Sequence, residues 1–216
     1  MGSETHHLKR QSRNLSRTSK KKNVLPFILI VCEGVKTEPN YFKWYVKNCR
    51  QQINIEIKGA GRNTLSLVEY AKFICNEIQS KSDMIFDQVW CVFDKDSFEI
   101  NLYNRAFQFC DKEGFHIAYS NECFEIWFLL HFNYYNTGMT RQDVIHKLNA
   151  IFLEKFSIEY KKDIEGIYDL LKSRQSEAIR NAKKLEISYK TKKKHLQNPS
   201  TSVHVLVEEL KKYIVE

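Results

Sequence analysis

Residues 27–34, FILIVCEG, hold an unbroken apolar run from Phe27 to Cys32, then a carboxylate, Glu33, and a glycine, Gly34. Residues 89–96, VWCVFDKD, repeat the design, an apolar run of strand length that ends in acid at Asp94 and Asp96. Runs this short and this apolar read as strands buried on both faces, the mark of a parallel sheet. A carboxylate where such a strand stops stands at the mouth of the sheet, where open α/β sheets take their ligands. Three converging carboxylates make an all-oxygen site for a hard cation such as Mg²⁺.

The segments between these runs alternate in type. After Glu33 the turn Gly34-Val35-Lys36-Thr37 leads into a helix from Glu38 to Cys49, with Pro39 in its first turn. Residues 53–58, INIEIK, alternate apolar with polar and predict a second strand, after which Thr64 caps a long amphipathic helix. A helix from Asn101 stopped by Gly114 and a strand from Phe115 to Tyr119 complete the pattern. The expected fold is α/β, a mainly parallel sheet of about four strands between helices. Beyond Tyr119 only helices are expected: Glu122 to Phe132, Thr140 to Phe156 with a capping box at Thr140 and Asp143, Asp163 to Tyr189, and Thr201 to Val215. The chain divides on this reading into a flexible basic arm (1–22), an α/β core (23–133) and a helical extension packed on it (134–216).

A formal charge of +8 and a pI near 9.1 favour a polyanionic partner. The charge is concentrated in KRQSRNLSRTSKKK (9–22), ending in Lys20, Lys21 and Lys22, and in KKLEISYKTKKKH (183–195), with Lys183, Lys184, Lys192, Lys193 and Lys194. Both are candidate nucleic-acid contacts, although a basic helix face is also simply well solvated. The six cysteines form no CxxC pair, no apolar stretch approaches membrane-spanning length, and the amino terminus is polar. A reduced, cytoplasmic setting with no membrane is therefore expected.

Alternate residues of an extended segment face the same way, so the Asp94 and Asp96 carboxylates repel each other unless a cation lies between them. Lys36, two residues past Gly34 in the first turn, is placed to neutralise a phosphate at the start of a helix. In Ser120-Asn121-Glu122-Cys123-Phe124-Glu125 the turn after the fourth strand delivers Glu125 to the same acidic edge. His131 reads first as a hydrogen-bonded core histidine, and the stretch Asn198 to His204 as a helix start.

CEGVKTEPNYF, the DKD triplet, YSNECFEIWFLLHF and the terminal NPSTSVHVLVEEL together resemble the RloB-like family, a branch of the Toprim superfamily linked to restriction loci and abortive phage infection. The resemblance implies a Toprim-like Rossmannoid fold with Glu33 as acid/base or metal-binding carboxylate and Asp94 and Asp96 as ligands of Mg²⁺, or of Mn²⁺ in its place. Lys36 and Glu125 join them as catalytic candidates, and His131, Ser200, Thr201 and His204 enter as further site candidates. The activity implied is a metal-dependent nuclease of antiphage defence, with DNA weakly preferred over RNA. The resemblance also implies an AAA-type ATPase partner, and with no GxxxxGK[ST] phosphate loop in the chain any ATP-driven step would come from that partner. The rival from another class is a non-catalytic nucleic-acid-binding or sensor subunit.

Overall fold

The computed structural model describes residues 26–48, 54–61, 64–95 and 99–214. Asp96 and the arm with Lys20, Lys21 and Lys22 lie outside the described residues. The runs marked as strands by sequence are strands: β1 (Phe27–Cys32), β2 (Asn54–Gly59), β3 (Gln88–Asp94) and β4 (His116–Asn121). Between them run α1 (Thr37–Asn48), α2 (Thr64–Ser82) and α3 (Ile100–Glu113). Gly114 ends α3 as expected, in the left-handed region at φ 70°, with its N–H on the Asp111 carbonyl.

The four strands are mutually parallel in the order β2-β1-β3-β4, a Rossmann-like arrangement. From β1 the chain steps to β2 on one side, then crosses back to β3 on the other. That reversal leaves a crevice beyond the carboxyl ends of β1 and β3. The register makes the two ends neighbours: Cys32 lies opposite Val92, and the Glu33 N–H donates to the Val92 carbonyl over 2.9 Å.

A fifth strand, β5 (Ser200–Thr201), joins the edge antiparallel to β4 and has no forerunner in the sequence reading. Two residues are too few to display a period, and the neighbouring Asn198-Pro199 resembles only a breaker. Side chains fasten it: Thr201 Oγ1 donates to the Tyr119 carbonyl (3.1 Å) and lies 3.0 Å from Ser120 Oγ.

The rest of the chain is helical: α4 (Glu125–Leu129), α5 (Arg141–Phe156), α6 (Ile167–Leu171), α7 (Gln175–Ser188) and α8 (Val203–Lys211). The capping box at Thr140 and Asp143 is formed. The helix expected over Glu122 to Phe132 is shorter, because after Leu129 the N–H groups of His131 and Phe132 bond three residues back and tighten the chain into turns. The long helix expected over Asp163 to Tyr189 is interrupted. Gly166 takes φ 71°, and a 3₁₀ turn, Lys172–Arg174, separates α6 from α7.

Strand residues alternate between two apolar layers. Ile28, Ile30, Cys32, Trp90 and Val92 pack with Tyr41, Phe42 and Tyr45 of α1 and with the helices from α4 onward, so the carboxyl-terminal helices share the core of the sheet. Leu29, Val31, Val89, Cys91 and Phe93 pack against α2 and α3. Asp94 continues the parity of Trp90 and Val92 and so belongs to the α1 and α4 side.

Replacing Thr201 by Val removes the three contacts of its buried hydroxyl, with the Tyr119 carbonyl, the Ser120 hydroxyl and the Val203 N–H. The loss expected in urea unfolding is about 1–3 kcal/mol, the cost of leaving buried polar partners unsatisfied. An unchanged midpoint would show that β5 is not held by these contacts.

Candidate functional site

Two short turns build the site. At the end of β1 the chain reverses through Gly34 and enters α1, which turns the Glu38 carboxylate back so that its Oε1 accepts from the Gly34 N–H over 3.2 Å. A Cβ on Gly34 would run into that carboxylate, which explains the glycine. Gly59 is required for a similar reason. A Cβ there would stand 2.7 Å from Val35 Cα and 2.9 Å from the Gly34 carbonyl oxygen, so the end of β2 touches the same turn.

At the end of β3 the Asp94 N–H donates to Glu33 Oε2 over 3.2 Å, which ties the two strand ends together. From the fourth strand the chain passes through the Asn121 turn into α4, whose first residue, Glu125, accepts a bond from the Tyr160 hydroxyl over 3.1 Å. Arg141, the first residue of α5, places a guanidinium nitrogen 3.3 Å from Asp94 Oδ2.

Glu38, Asp94 and Glu125 are 5%, 8% and 2% exposed, which is unusual for carboxylates with so little compensating charge. Burial pushes the Asp94 carboxyl well above its ordinary range, the charges of Glu38, Glu125 and Glu33 push it further, and Arg141 opposes them. Burial also raises Glu38, with Glu125 adding to the rise, while the Gly34 N–H and Lys162 pull the other way. A set of oxygen acids that repel one another in a buried place fits a hard cation in charge and in ligand type. Among the described residues, however, no three of them close around one point, and the Arg141 guanidinium is the positive charge beside Asp94. Asp96, the other half of the DKD triplet, lies outside the described residues.

The structure therefore brings Glu33, Asp94 and Glu125 to one end of the sheet, as the sequence predicts. Lys36 stands on the same turn but is exposed, with its ammonium 3.5 Å from Asp163, a surface pair that restrains it weakly. His131 sits in the apolar layer, 0% exposed, where its Nδ1 donates to the Trp127 carbonyl (2.9 Å) and burial depresses its pKa to about 4. Ser200 and Thr201 spend their hydroxyls on the Gln197 and Tyr119 carbonyls. His204, lowered by burial, faces Glu186 of α7 at 3.6 Å. Lys183 pairs with Glu208 (2.6 Å), and Lys184, Lys192 and Lys194 lie over the rings of Tyr134, Tyr189 and Tyr119.

Sequence reasoning missed three members of the site. Glu38 lay inside the quoted CEGVKTEPNYF but was named only as the start of a helix, and the reversal at Gly34 brings its carboxylate back to the turn. Arg141 and Tyr160 lie 47 and 35 residues from the acids they contact, and no local pattern announces either.

A family model described as RloB-like protein matches residues 28–210. The chain belongs to the RloB-like family. The match spans the strands β1 and β3 that lead to Glu33 and Asp94, and also Arg141 at the start of α5 and Tyr160 beyond its end. No curated protein and no solved structure matches the chain.

His131 supplies a pH signature of the fold. Its folded pKa lies below the unfolded value, so its contribution to stability is complete above about pH 6.5 and is lost as pH falls through about 4. His131→Gln should flatten that limb of the curve of unfolding free energy against pH. An identical acid limb in the variant would mean that other groups control it.

Proposed function

We propose that this RloB-like protein is a Toprim-type, metal-dependent nuclease that hydrolyses phosphodiester bonds of nucleic acid. The observation that carries the reading is the gathering of Glu33, Glu38, Asp94 and Glu125 at the switch point of the sheet, with Glu38 held above its ordinary pKa by burial and by Glu125, and Asp94 by burial and by Glu38, Glu125 and Glu33. Proteins seldom keep such repulsion without a cation or a proton to relieve it. Glu33 and Asp94, joined by Asp96 from the same triplet, would hold Mg²⁺ or Mn²⁺, with Glu125 and Glu38 beside them. A divalent ion held there would supply Lewis acidity toward a phosphoryl oxygen and a bound water of lowered pKa.

The chain's own groups do the remainder. The Asp94 N–H orients the Glu33 carboxylate, and the Tyr160 hydroxyl orients Glu125. Arg141 lies beside Asp94 and would offer a donor to a phosphate oxygen. Lys36, exposed beside the turn, is free to swing from Asp163 toward an incoming backbone. We place the activity in cytoplasmic antiphage defence, on DNA in preference to RNA, with an AAA-type ATPase partner. Among the described residues no helix is long and apolar enough to cross a membrane.

One observation favours the second reading, a non-catalytic nucleic-acid-binding or sensor subunit. Asp94 has a counter-charge within the chain, the Arg141 guanidinium at 3.3 Å, which a binding site without catalysis could use in place of a cation.

The deciding experiment offers plasmid DNA, single-stranded DNA and transfer RNA to the purified protein with Mg²⁺, with Mn²⁺ and with chelator. Metal-dependent cutting is expected, and Asp94→Asn should lower it at least about 100-fold, since loss of outer-shell partners alone costs about 10–100-fold at metal sites. Cutting that persists in the Asp94→Ala, Asp96→Ala double variant would overturn the nuclease reading. Tight binding with no cutting under any of these conditions would favour the sensor.

A further inference from the structure

On the α3 side of the sheet lies a cavity of about 560 Å³ lined by Ile100, Asn104, Phe107, Lys193, Lys194 and His195. Its volume falls within the roughly 300–1,000 Å³ of small-molecule sites. Its position follows from two anchors. Ile100, Asn104 and Phe107 occupy the first two turns of α3, the helix that follows β3 and Asp94. The lysine loop is fixed to the end of β4, where Asn121 Nδ2 donates to the His195 carbonyl (3.4 Å) and the Lys194 ammonium sits 4.8 Å from the Tyr119 ring centre. Since Ser120 of β4 lies opposite Asp94, the cavity stands at the same end of the sheet as the acidic site, on the opposite face.

Its walls differ in character. The Phe107 ring is held edge-on against Phe93 (5.6 Å) and Tyr119 (5.8 Å), and Ile100, 48% exposed, offers apolar surface beside it, so the floor is apolar. The rim carries the exposed residues Lys193, Lys194 and Asn104. A bare phosphate would waste the floor, and an apolar ligand would waste the rim. A nucleotide offers both a flat π-face and an anion, at the spacing of one residue of a strand. A duplex keeps its bases stacked inside and cannot fill such a floor, whereas a single strand presents them.

We propose that this cavity seats one unpaired base of a single-stranded nucleic acid, with Lys193 and Lys194 on the adjoining phosphates, and so delivers the strand to the carboxylates. The assignment deepens the phosphodiesterase reading and rests on it for its purpose, but base seating is measurable without cleavage.

The test uses the full chain carrying Asp94→Asn, in chelator, with fluorescein-labelled DNA and RNA oligonucleotides followed by anisotropy. Four probes are compared: single strands of each kind, the matching duplex, and a fully abasic strand of equal length and charge. Single strands should bind at least about tenfold tighter than the duplex and the abasic strand, in line with base–aromatic stacking. The DNA and RNA arms decide which backbone is preferred. Asn104→Trp, at an exposed helix position, fills the cavity and should bring the single strand down to the abasic level, and Ile100→Asp should do the same by a different route. Lys193→Ala with Lys194→Ala should weaken every probe and lower the salt slope by about 2. Equal affinity for duplex, abasic and single strands, no loss in either cavity variant, or no binding at all would overturn the proposal. Single-strand preference in a protein that cuts nothing would sink the nuclease reading and leave this one standing, and metal-dependent cutting without that preference would do the reverse.

Discussion

Repulsion among buried carboxylates is the constraint on which this molecule turns. Asp94 ends a strand 8% exposed, and its neighbours Glu38, Glu125 and Glu33 all raise the cost of its charge. Burial of one such group is tolerable when it keeps its proton or finds a counter-charge. Gathering them requires scaffolding strong enough to hold them against one another. The parallel register supplies part of it, since the Glu33 N–H lies on the Val92 carbonyl and the Asp94 N–H on the Glu33 carboxylate.

The carboxyl-terminal helices supply the rest. They share one apolar layer with α1 and the inner residues of β1 and β3, so their positions are set by the same burial that forms the sheet. Out of that layer come the two groups that moderate the acids, Arg141 at the start of α5 and Tyr160 just beyond its end. Thr37 donates to the Lys162 carbonyl over 3.3 Å, which ties the β1 turn to the segment carrying Tyr160. β5 then closes the edge, and the loop before it lies against the end of β4, where its lysines flank the cavity on the opposite face. Acidic and basic surfaces are thus presented by one sheet end from its two sides.

Much of this was legible in the chain. The runs Phe27 to Cys32 and Gln88 to Phe93 announce buried strands, and the acids that stop them announce the site, because a period-2 or unbroken apolar pattern is a local property. Gly114 and the Thr140–Asp143 capping box were readable for the same reason. What stayed hidden depends on long-range pairing. β5 is two residues long and is fastened by hydrogen bonds to Ser120 and Tyr119, and the helix expected from Asp163 is broken at Gly166, whose left-handed φ has no signature in hydrophobic period.

The sequence by itself determined the alternation of strands and helices and the placing of Glu33 and Asp94 at strand ends, since these follow from apolar spacing along a few residues. Only the tertiary structure decided that Glu38 turns inward, that Arg141 and Tyr160 meet acids 47 and 35 residues away, and that Lys193 and Lys194 share a cavity with α3. The physical reason is the range of the forces: patterning acts between neighbours on one element, whereas charge compensation and close packing act between elements that only burial brings together.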